Sequence, residues 1–278
     1  QQLSTRGAEL ELLDKQQTNQ RIGSSKFFGA LFNKSAGTIN PLSYCIGLAL
    51  AAQSKGANIY ETTLATKIQS INGHWLIKTT EGSIKAKMLL IATNAYQQPI
   101  KGIKSPEYTS VHYFQVATNP LPKKDTKMIL PNGEGCWDTA SVMSSFRLDE
   151  DNRLIIGGVG NLGHGASKIH TNWARRKIKS LFPNLKNIPI EYNWHGRIAM
   201  TANHIPKIQK LGNNAYSIFG FSGRGIGPGT YFGKAVVESL LSGDENSLPV
   251  TPMSQNKERY SGIKSKLFEL GATASHLL

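Results

Sequence analysis

The 278-residue chain reads as an α/β protein, α+β overall, and three observations predict this. First, Ser217 to Gly243 opens as an apolar strand, passes through a loop with glycine at Gly223, Gly225, Gly227 and Gly229, and continues as a helix. That helix places Tyr231, Phe232, Ala235, Val236, Ser239 and Leu240 on one face at the 3.6-residue period, and Gly243 closes it. Second, Met88 to Tyr96 is a near-continuous apolar run, the pattern of a strand buried on both faces in a parallel sheet. Third, from Tyr108 onward the texture changes to alternating segments, as expected of an antiparallel sheet.

In chain order, Leu10, Leu12 and Leu13 form a short apolar run inside a polar start. Phe27 to Phe32 predicts an extended piece ending near Gly37. Asn40-Pro41 starts a helix through Leu42, Cys45, Ile46, Leu48, Ala49 and Ala52, because proline suits the first helical position, and Gly56 ends it. Ala57 to Glu61 then reads as a strand. Ala65 to Ile68, Trp75 to Thr80 and Ser83 to Lys87 predict further strands, the last two joined as a hairpin at Glu81-Gly82. Val111 to Thr118, Cys136 to Leu148 and Leu154 to Val159 are the alternating segments, with Asp149 to Asn152 as a turn. A helix carrying Trp173, Ile178 and Leu181 must stop before Pro183. Ile188 to Met200 is a strand, and Lys264 to Leu278 a surface helix.

Composition narrows the classes. Hydrophobic residues at 39% and charged residues at 18% are those of a soluble globular protein, and no apolar run is long enough to span a membrane. The net charge of +14 comes from scattered lysines without interleaved aromatics, so it predicts a solvated basic surface, or a basic half of a longer chain balanced elsewhere, and no nucleic-acid partner. Cys45 and Cys136 have no metal or redox spacing and read as reduced thiols of a cytoplasmic protein. The histidines lack ligand spacing, so no metal is expected. The chain opens at Gln1 with no initiator methionine or signal peptide, and reads as a fragment or processed product.

The glycine loop carries the chemistry. Strand, glycine loop and helix N-terminus together bring bare backbone N–H groups up to an electron-rich group, either a phosphate or the pyrimidine edge of a flavin. A plain tight turn needing positive φ is the alternative. The dinucleotide fingerprint G-x-G-x-x-G is excluded, since its sixth position would be Pro228 or Thr230. A G-x-S-x-G nucleophile elbow is excluded as well, since its fifth position is Arg224.

Six segments occur in a telling order: GTINPL at 37–42, the helix and strand through Tyr60-Glu61, LLIATNAY at 89–96, SSFRLDEDNRLIIGG at 144–158, WHGRIAMT at 194–201 and GFSGRGIG at 220–227. In this order the chain resembles the D-amino-acid-oxidase-like family of FAD-dependent amine and amino-acid oxidoreductases, over nearly its whole length. The resemblance implies a partial FAD-binding Rossmann-like domain at 1–100 and 201–278, and a mainly antiparallel substrate-binding domain with helices at 101–200. The opening βαβ unit with its G-x-G-x-x-G turn has no counterpart here, so that unit or another chain is an expected partner.

The resemblance also assigns contacts. Ala65 would meet the adenine of FAD, Ala92, Thr93 and Asn94 the middle of the cofactor, and Gly223, Arg224, Gly225, Ile226 and Gly227 the isoalloxazine ring. Trp194 to Thr201 holds no cysteine, so FAD is expected to be non-covalent. The implied reaction is oxidation of a C–N bond in an amine or amino acid, such as a gamma-glutamylputrescine-like secondary amine, by hydride transfer to flavin. Arg224, Arg197 and Arg147 are the candidate cations for a substrate carboxylate. His195 and His204 are candidate bases, and Trp194 and Phe146 candidate cavity walls, each weighed against an ordinary structural role. The alternative is a truncated or partner-dependent fragment, folded but inactive alone.

Overall fold

The structure is a computed structural model, and it describes residues 4–140, 142–163 and 165–278. The elements run β1 (Leu10–Leu13), α1 (Lys15–Ile22), β2 (Ala30–Asn33), α2 (Pro41–Ser54), β3 (Ala65–Ile71), β4 (His74–Thr79) and β5 (Ser83–Ala86). There follow β6 (Leu89–Ile91), β7 (Thr109–Pro120), α3 (Lys123–Thr126), β8 (Cys136–Trp137), β9 (Ser144–Leu148) and β10 (Arg153–Val159). The last are α4 (Ser167–Leu181), β11 (Ile190–Met200), β12 (Lys207–Gly212), β13 (Ala215–Phe219), α5 (Ile226–Ser242) and α6 (Ser261–Leu277). Mixed α/β architecture with mainly antiparallel sheets is therefore present. No helix among the described residues is long and apolar enough to cross a membrane.

Two compact units divide the chain. The first holds 1–44, 112–196 and 268–278. Its main sheet has the order β11-β7-β10-β9-β8. Alternation along the strands turns Phe114 and Val116 of β7, Phe146 of β9, and Leu154 and Ile156 of β10 into one core. Helix α4 covers that core with Ala174, Ile178 and Leu181, spaced to lie on one helical face. Helix α1 is fixed by a capping box, in which the Asp14 carboxylate accepts from Gln17 N–H and the Gln17 amide oxygen accepts from Asp14 N–H.

The second unit holds 45–111 and 197–267. It contains the antiparallel sheet β3-β4-β5 and the sheet β12-β13-β6, in which β13 and β6 are parallel. Every residue of β13 is buried, and α5 packs Phe232, Val236 and Leu240 against Ile208, Tyr216, Ile218 and Phe221.

Three expectations need correction. Ala57 to Glu61 forms no strand: a strand exists through its ladder, and among the described residues no other strand pairs with this segment. Ile59 and Tyr60 are exposed accordingly. The run Met88 to Tyr96 yields only the short edge strand β6, and Asn94–Tyr96 turns into a 3₁₀ helix with Asn94 at φ 46°. The parallel pairing is as expected, but burial on both faces is not, since Leu89 and Leu90 stay half-buried. Finally, α6 is more than a surface helix, because its last turns bury Ala272 and His276.

Candidate active site

The glycine loop leaves β13 through two positions that require a left-handed backbone, Gly220 at φ +81° and Gly223 at φ +85°, with Ser222 between them at φ 51°. A β-carbon at Gly220 would lie 2.5 Å from Thr201 Cγ2. The need for a tight turn accounts for these two glycines. It does not account for Gly225, Gly227 and Gly229, which are right-handed and have nothing within 4 Å of the place a β-carbon would occupy. The first backbone N–H groups of any helix lack intrahelical partners, and Gly225 offers no side chain to cap those of α5. The result is an exposed helix start with glycine at Gly225 and Gly227, its positive dipole end open.

Two further segments are tied to this loop within the same unit. Asn94 Oδ1 accepts from Gly220 N–H at 3.0 Å, joining the end of β6 to the loop. The end of β11 joins it from another side: Ser222 N–H donates to Ala199 O at 3.0 Å, and Thr201 N–H donates to Ser222 Oγ at 3.3 Å. Ile198 Cδ1 lies 3.8 Å from the β-carbon position of Gly223. Arg197 N–H donates to Tyr96 Oη at 3.0 Å, and its guanidinium lies over the Tyr96 ring, 4.8 Å from the centroid.

Thus Asn94, Gly223 to Gly227 and Arg197 belong to one connected set, with Ala92 and Thr93 exposed at the strand end leading into it. Arg224 is exposed, its N–H bonded to Phe221 O at 2.9 Å, and its guanidinium has no ion-pair partner among the described residues. Ala65 opens β3 opposite Thr79, and no hydrogen bond among the described residues joins it to this set. Arg147 lies in the other unit on β9, opposite Ile155, where burial pulls its pKa down and the nearby Asp149 and Tyr113 push it back up. Phe146 is a core residue of that unit, only 2% exposed, so it walls no cavity. His195 packs edge-on against His112, ring centroids 5.8 Å apart.

Sequence reasoning passed over Tyr96, Ser222 and Tyr108. Tyr96 was visible as the aromatic that closes the LLIATNAY run, but only the fold brings it to Arg197, 101 residues away. Tyr108 has its pKa raised by burial, with the Arg197 charge acting the other way.

The loop geometry gives a direct prediction. Replacing Gly220 with alanine puts a β-carbon against Thr201 in a backbone region that side chains avoid. We expect a loss of about 1–3 kcal/mol in denaturant stability. Adding Thr201→Ser, which removes the Cγ2 methyl group, should recover part of it.

Residues 1–239 match the family model "DAO: FAD dependent oxidoreductase". The chain belongs to this family. It is 31% identical over 241 residues to "Probable oxidoreductase OrdL" of Haemophilus influenzae, covering 85% of this chain and 55% of the relative. It is 30% identical over 241 residues to the gamma-glutamylputrescine oxidoreductase of Escherichia coli, again covering 85% and 55%. The chain thus spans about half the length of the curated relatives it matches. Among solved structures, L-proline dehydrogenase from P. horikoshii superposes with a TM-score of 0.76 at 23% identity, over 89% of this chain and 68% of that one. Glycine oxidase from Geobacillus kaustophilus superposes with a TM-score of 0.74 at 18% identity, over 92% and 69%. These likenesses carry the fold.

Proposed function

We propose that this chain forms the isoalloxazine and substrate side of an FAD-dependent oxidoreductase acting on the C–N bond of an amine or amino acid, of the gamma-glutamylputrescine kind. The observation that carries the reading is the bare start of α5, three glycines without conformational need at an uncapped helix N-terminus. When bound, FAD would supply the hydride acceptor. Around it, the N–H groups of Gly223, Gly225, Ile226 and Gly227 would donate to the electron-rich pyrimidine edge, with the α5 dipole favouring negative charge there. Ala92, Thr93 and Asn94 would flank the middle of the cofactor and Ala65 its adenine. No cysteine lies between Trp194 and Thr201, so the residues present fit a non-covalent group.

Arg197 and Arg224 would serve as cations for the substrate carboxylate, with Arg147 the third candidate on the sheet proposed to bind substrate. Residues 1–100 and 201–278 are proposed as the FAD-binding domain and 101–200 as the substrate domain. In support, 45–100 and 201–267 share one compact unit, whereas 1–44 and 268–278 belong to the other. A second reading, dependence on a further segment or chain, is favoured by α2. Its Leu42, Ile46, Leu48 and Leu50 are all at least half exposed, an apolar surface that folded chains normally cover.

The test is anaerobic mixing of the FAD-loaded chain with gamma-glutamylputrescine, glycine or L-proline. Bleaching of the visible flavin band by one of these is the expected result. Retained flavin that none of them, nor a wider panel of amines, can bleach would overturn the reading.

A further inference from the structure

Arg197 is exposed yet held in place. Tyr96 grips it twice, the hydroxyl accepting the Arg197 backbone N–H at 3.0 Å and the ring lying under the guanidinium at 4.8 Å. Tyr108 stands close enough for its ionisation to feel the Arg197 charge, and its ring packs tilted against Phe219, centroids 6.4 Å apart. No carboxylate among the described residues pairs with Arg197. A guanidinium lying over an aromatic face directs its N–H donors outward in its own plane. That fork matches a planar carboxylate, and a lysine ammonium cannot reproduce it.

The turn that carries Tyr96 also carries Asn94, whose side chain holds the glycine loop at Gly220. One short segment therefore touches the loop proposed for the flavin and the cation proposed for substrate. We propose that Tyr96 is a positioning residue, which fixes the Arg197 guanidinium as the receptor for the carboxylate of an amino-acid-type amine. The inference rests on the amine-oxidoreductase reading for its ligand class. It selects amines that bear a carboxylate over those that do not.

The experiment uses the full chain labelled with nitrogen-15, with the Arg197 Nε–Hε resonance identified by its loss in Arg197→Lys. Sodium acetate is titrated in, with sodium chloride at matched ionic strength as control. The resonance is expected to shift saturably with acetate and not with chloride. In Tyr96→Leu the apparent acetate affinity should fall at least about tenfold. In Tyr96→Phe, which keeps the ring and loses only the hydroxyl acceptor, it should fall less than about threefold. Backbone resonances and thermal melts report whether each variant is folded, and where the leucine variant is not, Tyr96→Gln, which also lacks the ring, is read in its place with the same expected fall. Unchanged acetate affinity in a folded Tyr96→Leu, or no saturable shift in the parent chain, would overturn the proposal. FAD titration of the same samples is read separately. A chain that binds acetate through Arg197 but never binds FAD would overturn FAD binding by this chain alone, favour dependence on a further segment or chain, and leave the Tyr96–Arg197 receptor standing.

Discussion

Acidification from about pH 7.5 to about pH 4 is expected to weaken the first unit by ~3 kcal/mol through one buried histidine pair. His170 of α4 and His276 of α6 are both fully buried, with their Nδ1 atoms 2.7 Å apart. At that distance one ring must donate and the other accept, so the two Nδ1 atoms cannot both carry a proton while the contact survives. Phe114 and Trp173 enclose the pair, Trp173 stacking on His276 with centroids 4.2 Å apart. Burial pulls the His276 pKa from 6.5 down to about 4, and the neighbouring His170 and Arg176 add to it. Burial pulls His170 down too, opposed by the Glu269 carboxylate, whose Oε1 lies 3.9 Å from His170 Nε2. Glu269 also faces His112 at 3.8 Å, and the Arg176 guanidinium donates to the His276 carbonyl.

The sign follows from the direction of these shifts. Both rings are neutral in the folded chain and become charged more readily when unfolded. Their stabilisation is therefore complete above about 6.5 and is lost as pH falls towards about 4. Urea unfolding of the parent and of His276→Gln at both pH values isolates the pair from carboxylates that titrate in the same range. The parent should show the steeper loss; equal pH dependence in the two would contradict the account.

The second large effect concerns the helix start. In Gly227→Asp, flavin affinity should fall at least about tenfold while thermal stability holds or rises. Nothing lies within 4 Å of the added β-carbon, so the side chain meets no obstacle. A carboxylate in the first turn of α5 suits the helix dipole, which protects the fold. The same carboxylate would take up the bare N–H groups and repel the electron-rich edge of the flavin. An effect on stability alone, with flavin affinity untouched, would mean that the glycines serve packing.

Much of this site was legible because its signals are local. The run from Ser217 to Gly243 contains strand, loop and helix in one stretch, and Phe232, Ala235, Val236, Ser239 and Leu240 are buried as their period predicts. Tyr231 is the exception, exposed at the rim of that face. Likewise Ile178 and Leu181 marked the α4 core face, and Pro183 its end. Long-range features were not legible. The His170–His276 contact joins residues 106 apart, and no spacing rule announces it. Ala57 to Glu61 has strand composition, but composition cannot provide the neighbouring strand that a ladder needs. The tail helix looked like surface because Ala272 and His276 are small or polar, yet both are enclosed. The resemblance located Arg197, whereas only the fold showed which aromatic holds it.

The measurement that tests the central claim most directly is a visible spectrum of the purified chain during titration with FAD, repeated after desalting. The account predicts a saturable shift of the flavin band, weakened in Gly227→Asp. A spectrum identical to free FAD at every concentration would contradict the assignment of the glycine loop as the flavin site.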